Sequence, residues 1–361
     1  MHSHLMFLGW ITLALFLLIM DKLPVKNTRT AKWALFIFQV SVLSLALSFP
    51  SSGYGLLSVT FLGINMASAF VIAFIIFRSG ASMKTPGWKM IRAGLFFMLL
   101  SGLGPLALGP VAAMGLKNTV WYDFSVYFYL HFQYNGWFFL TLTGLVIAAA
   151  PPSWLTDKSS LLNKTWIALV ISVILTYSLS VINRGYTLAF NILGGVGAIA
   201  QLVIILVILF RPGSRGTDAM QGFGKNMGML FGFSLIALIV KMVLQVLSAF
   251  PVLAGFAFGQ RNIIVAYLHL VLIGFVSFGV IALYHEIGWF RNSPGYSIAV
   301  SIFAAGFFLN EFALLVSVAG GITILIPKLL FAAALIMTLG IAGIVFATRS
   351  PLNNREYKAG L

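Results

Sequence analysis

Long apolar runs alternate with short, mostly basic connections along almost the entire chain. The runs lie near 3–20, 33–49, 56–78, 93–115, 123–150, 165–183, 187–211, 227–250, 262–289, 296–319 and 321–347. A helix needs about 20 apolar residues to cross the hydrocarbon layer, where lipid cannot satisfy exposed backbone groups. The pattern therefore predicts about eleven transmembrane helices, the fourth interrupted by glycine and by Pro105 and Pro110. No connection is long enough for a separate soluble domain. Residues 1–361 are expected to form a single all-α polytopic membrane domain.

Basic residues predict how the chain is threaded. Lys22, Lys26, Arg29 and Lys32 follow the first run, and Arg78, Lys84, Lys89 and Arg92 follow the third. Alternate later connections carry Lys158 and Lys164, then Arg211, Arg215 and Lys225, then Arg291, with Arg349, Arg355 and Lys358 in the tail. These make up 17 of the 22 Lys and Arg residues, whereas the opposite connections hold Lys117, Arg184 and Arg261. The N-terminus is expected outside and the C-terminus in the cytoplasm, with the chain integral to the cell (inner) membrane. Opposite termini require an odd number of spans, which eleven satisfies.

Composition agrees with a bilayer as the principal partner. Hydrophobic residues make up 60% of the chain and charged residues 8%, far below the quarter or so that covers a soluble surface. The formal charge of +15 would suit nucleic acid, but it is spread over loops between apolar runs, so no nucleic-acid partner is expected. The lack of Cys excludes disulfides, thiolate metal sites, iron–sulfur clusters and Cys nucleophiles. The opening MHSHLMFLGWITLALFLLIM has neither a basic n-region nor a small-residue cleavage site, and reads as a retained first helix.

Of the five histidines, His2, His4, His131, His269 and His285, three share the pattern His-x-x-x-x-Gly-aromatic. His4 precedes Gly9 and Trp10, His131 precedes Gly136 and Trp137, and His269 precedes Gly274 and Phe275. They fall in the first, fifth and ninth runs, which suggests repeats of four helices: approximately 1–92 lacking its first helix, 93–211, and 227–347. The charge pattern puts all three in the outer turns of helices that run in the same direction. Ionisable groups inside a bilayer usually face the bundle interior or a functional path. Neutral imidazole is a good axial ligand for haem iron, and a haem held between two helices takes one from each. The following Gly offers a site where a flat macrocycle or a close helix could pack. The competing possibility is that these imidazoles hydrogen-bond between helices and the Gly-aromatic pairs serve ordinary packing.

Four-helix repeats with His on the second helix of each resemble subunit I of the heme-copper oxidases and nitric oxide reductases. That family has twelve helices in three arcs, so the runs here would correspond to all but its first. YLHLVLIGF (267–275) is similar to the family's tenth-helix His-x-His motif, HFQYNGW (131–137) to a sixth-helix motif, and HSHLMFLGW (2–10) to the second-helix motif. The resemblance implies a pseudo-threefold arrangement and a low-spin, bis-His haem b held by His4 and His269, with His2 as an alternative to His4. It implies partners among other respiratory or denitrification subunits.

The departures from the family pattern concern its catalytic centre. Tyr267 stands where the catalytic haem's His belongs, the 165–183 run has no His-His pair, and Asn135 replaces the Glu or Tyr that follows the sixth-helix His. A lone His131 with Asn135 does not make a three-imidazole copper or non-haem iron site, although His131 stays a possible metal ligand. The implied function is a haem-binding membrane protein in electron transfer or a gas-related accessory role, without oxygen or nitric oxide reduction and with no catalytic residue assigned. A cofactor-free transporter or channel is the alternative.

Other intramembrane polar residues bear on both. Lys241 lies one turn from Gln245, Glu311 lies beside Asn310, and Lys328 follows Pro327. A Lys–Glu pair across helices would neutralise both charges. In the haem reading, Lys241, Lys328, Arg184 and Arg261 are candidates to meet the propionates, since cationic side chains suit carboxylates. Glu311 could also serve a proton path. His285 and Glu286 lie roughly 24 Å along the helix from His269, at 1.5 Å per residue, and read as a solvated helix end.

Overall fold

The computed structural model describes residues 2–22, 28–80, 83–181, 188–210, 225–320 and 324–348. Arg184, Lys26, Arg211, Arg215, Arg349, Arg355 and Lys358 lie outside the described residues. Thirteen helices are found among those described: α1 (His2–Lys22), α2 (Thr28–Ser52), α3 (Leu56–Ser79), α4 (Pro86–Ser101), α5 (Leu103–Ala113), α6 (120–149), α7 (Pro152–Ser180), α8 (Leu188–Phe210), α9 (Lys225–Leu247), α10 (Pro251–Gly259), α11 (Arg261–Glu286), α12 (Pro294–Val318) and α13 (Leu325–Phe346). No β-strand occurs among the described residues.

Ten helical segments are long and apolar enough to cross a membrane, α4 and α5 together counting as one. Large apolar side chains such as Leu56, Val252 and Phe346 are exposed, as on a lipid-facing surface. The chain is therefore an all-α, membrane-embedded protein. The predicted 123–150 run forms α6, a long helix that does not reach the same mean hydropathy. Its first half carries Asp123, Tyr127, Tyr129, His131, Gln133, Tyr134 and Asn135. His131, Gln133 and Asn135 are buried, so these polar groups are spent inside the protein.

Several helices start earlier than their apolar runs because a cap, not hydropathy, sets the end. Thr85 caps α4, its Oγ1 accepting from the Trp88 N–H at 3.4 Å, with Pro86 in the first turn. The turn that carries Trp88, Lys89 and Arg92 is thereby helical although it is not apolar. Ser293 caps α12 in the same way, accepting from the Tyr296 N–H at 3.2 Å ahead of Pro294. The expected interruption of the fourth run is a turn at Gly102 between α4 and α5.

The chain forms two compact units, Met1–Val181 and Ile182–Leu361. In the first, α4 packs along the second half of α6, and α2 pairs with α3. The α4–α6 contact is a backbone approach at glycine: a Cβ on Gly144 would lie 2.6 Å from the Gly87 carbonyl oxygen, and one on Gly87 would lie 2.6 Å from that of Gly144. In the second, α12 and α13 form the most extensive pair, and α9 and α12 flank α11. Phe278, Phe303, Phe307 and Tyr296 fill the space between α11 and α12.

Candidate functional site

Each of the three histidines stands immediately before a π-helical stretch. His4 precedes Leu5–Thr12, His131 precedes Phe132–Phe138, and His269 precedes Leu270–Ser277. The Gly-aromatic pair falls inside the stretch every time. π-Turns have poorer geometry than α-turns and persist where surrounding structure requires them, often at functional sites. The sequence pattern therefore has a shared backbone conformation, although the three imidazoles differ in their surroundings.

His131 is locked. Its Nδ1 lies 2.8 Å from Ser180 Oγ, its Nε2 lies 2.8 Å from the Val173 carbonyl oxygen, and Asn135 Nδ2 approaches Nδ1 at 3.2 Å. A carbonyl only accepts, so Nε2 carries the proton and Nδ1 accepts from Ser180 and Asn135. Both ring nitrogens are thereby used in binding α6 to α7. Tyr177 and Phe132 pack edge-on to the ring, at 5.6 and 5.2 Å between centroids. The interhelical hydrogen-bonding possibility describes this residue. Replacing His131 by Ala strands buried partners on α7, and is expected to cost about 1–3 kcal/mol of stability. Chemical denaturation in detergent checks this, and an unchanged midpoint would refute it.

His4 has a different environment. Its ring packs against Phe49 at 4.9 Å and Tyr54 at 5.7 Å, and Nε2 meets the Tyr54 hydroxyl at 3.4 Å. Nδ1 is buried and has no hydrogen-bond partner. An orphaned imidazole nitrogen among aromatic rings is costly unless something binds it, and an iron-bound imidazole would satisfy that need. His2 is exposed.

His269 lies against α12. Asn310 Nδ2 is 2.8 Å from its Nδ1, and Glu311 Oε1 is 3.8 Å from the same nitrogen. Asn310 Nδ2 also donates to Glu311 Oε1 at 3.0 Å. Glu311, for which a lysine partner was one expectation, thus sits beside an imidazole.

The glycines of the motif are packed by neighbouring side chains. A Cβ on Gly9 would lie 2.8 Å from Val42 Cγ1, and one on Gly136 would lie 2.5 Å from Phe97 Cβ. One on Gly274 would lie 2.9 Å from Phe307 Cζ and 3.1 Å from Ala237 Cβ. Of the two possibilities the sequence leaves open, close helix packing is the one seen at these positions.

Among the four candidate cations, Arg184 lies outside the described residues. Lys328 and Arg261 are exposed, the latter as the first residue of α11. Lys241 is buried, 1% exposed. Ser234 Oγ donates to the Phe275 carbonyl at 2.7 Å and Ala237 faces Gly274, so α9 and α11 run antiparallel. Lys241, one turn past Ala237, therefore falls level with Leu270, beside His269 in the chain. Also on α9, Gln245 Nε2 donates to Gln201 Oε1 of α8 at 3.3 Å, while Gln245 Oε1 and Gln201 Nε2 are buried without partners. His285 stacks on Tyr296, 4.9 Å between centroids and 6° between planes, at the far end of α11.

Composition alone did not single out Ser180, Tyr54 or Gln201, because serine, tyrosine and glutamine are common in membrane helices and only the fold pairs them with His131, His4 and Gln245. No three side chains of His, Asp or Glu gather into a possible metal cage among the described residues. Of the three motif imidazoles, His4 keeps a buried nitrogen without a hydrogen-bond partner, and His269 meets Asn310 and Glu311 through Nδ1. Compared with known proteins, the chain matches no family model and no curated protein.

Proposed function

We propose that this membrane protein binds a low-spin haem b through His4 and His269 and transfers electrons without reducing oxygen or nitric oxide. The proposal includes the resemblance to subunit I of the heme-copper oxidases, with four-helix repeats in pseudo-threefold arrangement. It also places the chain in the cell (inner) membrane, N-terminus outside and C-terminus cytoplasmic, working beside a respiratory or denitrification partner.

The observation that carries this reading is the contrast among three equivalent motifs. His131 spends both nitrogens on its neighbours, whereas His4 keeps a buried nitrogen with no partner. His269 Nδ1 meets the Asn310 amide at 2.8 Å and lies 3.8 Å from the Glu311 carboxylate, an acceptor to which an iron-bound imidazole would turn its far N–H. Haem supplies reversible one-electron chemistry at a potential set by its ligands and their hydrogen bonds. In this reading His4 and His269 would hold the group, Phe49 and Tyr54 would flank it at His4, and Lys241 would meet a propionate. Held by both His4 and His269, the group would leave no vacant position for small gases.

Purified protein, expressed with ample haem, is expected to show a sharp low-spin b-type band in its reduced-minus-oxidised spectrum. Carbon monoxide should leave the band unchanged. A folded but colourless protein would overturn the reading, and a strong carbon monoxide response would overturn its non-catalytic part. The transporter alternative draws on the unpartnered Gln201 and Gln245 atoms next to Lys241, since polar groups inside a membrane can mark a solute path. A colourless protein that moves solute across vesicles would favour it.

A further inference from the structure

The end of α1, the start of α4, the end of α6 and the opening turns of α7 meet around a pocket of about 450 Å³. That volume lies in the range that holds small-molecule ligands. Lys22, Thr85 and Ser159 contribute polar groups to its wall, and Ile91, Ile147 and Leu155 contribute apolar ones. Lys22 ends α1 and Thr85 caps α4, whereas Ile91 lies further along α4, in a segment long and apolar enough to cross a membrane. An occupant that fits both walls carries polar groups at one end and hydrocarbon at the other.

The polar end is built for negative charge. The segments 21–32, 78–92 and 151–164 that supply these helix ends hold ten Lys and Arg residues against Asp21 and Asp157. Lys158, next to Ser159, is buried with its Nζ 5.9 Å from the centre of the Trp154 ring. The first turn of α4 adds its own positive end. There Thr85 Oγ1 takes the Trp88 N–H and Pro86 has none to give, so the Gly87 N–H is left without an intrahelical acceptor. Trp88, also in the wall, is 1% exposed, and its indole Nε1 is buried with no hydrogen-bond partner. A buried donor without an acceptor is costly. A phosphate brings both the acceptor oxygens and the charge that this end suits.

We propose that the pocket binds one anionic phospholipid, its phosphate at Lys22 and the first turn of α4 and its acyl chain along Ile91, Ile147 and Leu155. A free phosphate would leave the apolar wall wetted, which favours the lipid as the source of the phosphate. Basic pockets between membrane helices are a common setting for such headgroups. Lys22 lies at the opposite end of α1 from His4, so this inference stands apart from the haem reading.

Native mass spectrometry of the delipidated full chain in a mild detergent tests it, with dioleoyl phosphatidylglycerol and dioleoyl phosphatidylcholine as probes. The first phosphatidylglycerol should bind more tightly than phosphatidylcholine. Lys22→Gln should weaken it about fivefold, the effect of one cation near an anionic headgroup. Lys117→Gln removes the same charge from an exposed residue of an opposite connection and should leave binding at the parent value. Leu155→Trp fills the apolar wall and should prevent binding. Equal affinities for the two lipids would overturn the proposal, as would parental binding in both Lys22→Gln and Leu155→Trp. Displacement of phosphatidylglycerol by millimolar inorganic phosphate would assign the polar end to free phosphate and overturn the lipid. Should Leu155→Trp fail to fold, the comparison of Lys22→Gln with Lys117→Gln decides.

Discussion

His269→Ala is expected to remove the entire sharp low-spin signal from the difference spectrum, and His4→Ala to do the same independently. A six-coordinate low-spin haem needs both axial imidazoles, so either loss leaves five-coordinate iron or no haem at all. Haem that remains should turn high-spin and bind carbon monoxide, and added imidazole should restore the sharp band in part. His131→Ala is the control within the same motif. Its two nitrogens are bound to Ser180 and Val173, so that variant should lose stability but keep its spectrum. A signal retained in His4→Ala and lost in His4→Ala/His2→Ala would assign the ligand to His2. A signal lost in His131→Ala protein of parental stability would refute the distinction drawn between the three motifs.

What could be read from the chain alone follows from how local the physics is. Apolar run length located most helices, because crossing lipid is a demand on composition. It also located α6, as the 123–150 run, although the polar groups of 127–135 lower the hydropathy of that long helix. It missed the first turns of α4 and α12, which depend on Thr85 and Ser293 caps and not on apolarity. The His-x-x-x-x-Gly-aromatic repeat was legible as a motif. Its π conformation was not, since no single residue type dictates an i→i+5 turn and tertiary packing sustains it. The different situations of the three imidazoles were hidden for the same reason. Ser180 lies 49 residues from His131 and Asn310 lies 41 from His269, so the partners become visible only when helices meet. The motif glycines could hold a macrocycle or a helix as far as sequence could tell, and Val42, Phe97 and Phe307 occupy those places.

The glycines of α4 and α6 support the second large expectation, that adding one methyl group at Gly144 destabilises the protein whereas adding one at Gly63 does not. A Cβ on Gly144 would lie 2.6 Å from the Gly87 carbonyl oxygen, 2.8 Å from Ile91 Cγ1 and 3.0 Å from the Ile91 nitrogen. Two of these atoms are backbone and cannot turn aside, so the helices must separate. A Cβ on Gly94, two turns along α4 from Gly87, would strike Thr141 Oγ1 and lie 3.1 Å from the Thr141 nitrogen. Separation at one level would therefore open the others, in a contact that depends on dispersion between closely approached backbones. Overpacking a tight site costs about 1–3 kcal/mol, and Gly144→Leu, with three more carbons, should yield no folded protein. Gly63 lies within α3 with no atom inside 4 Å of an added Cβ. There Ala gains about 0.8–1.0 kcal/mol of helix propensity over Gly, so Gly63→Ala should match or exceed the parent. Thermal unfolding in one detergent compares the two directly. Equal shifts for Gly144→Ala and Gly63→Ala would mean that the α4–α6 backbone contact does not hold the first unit together.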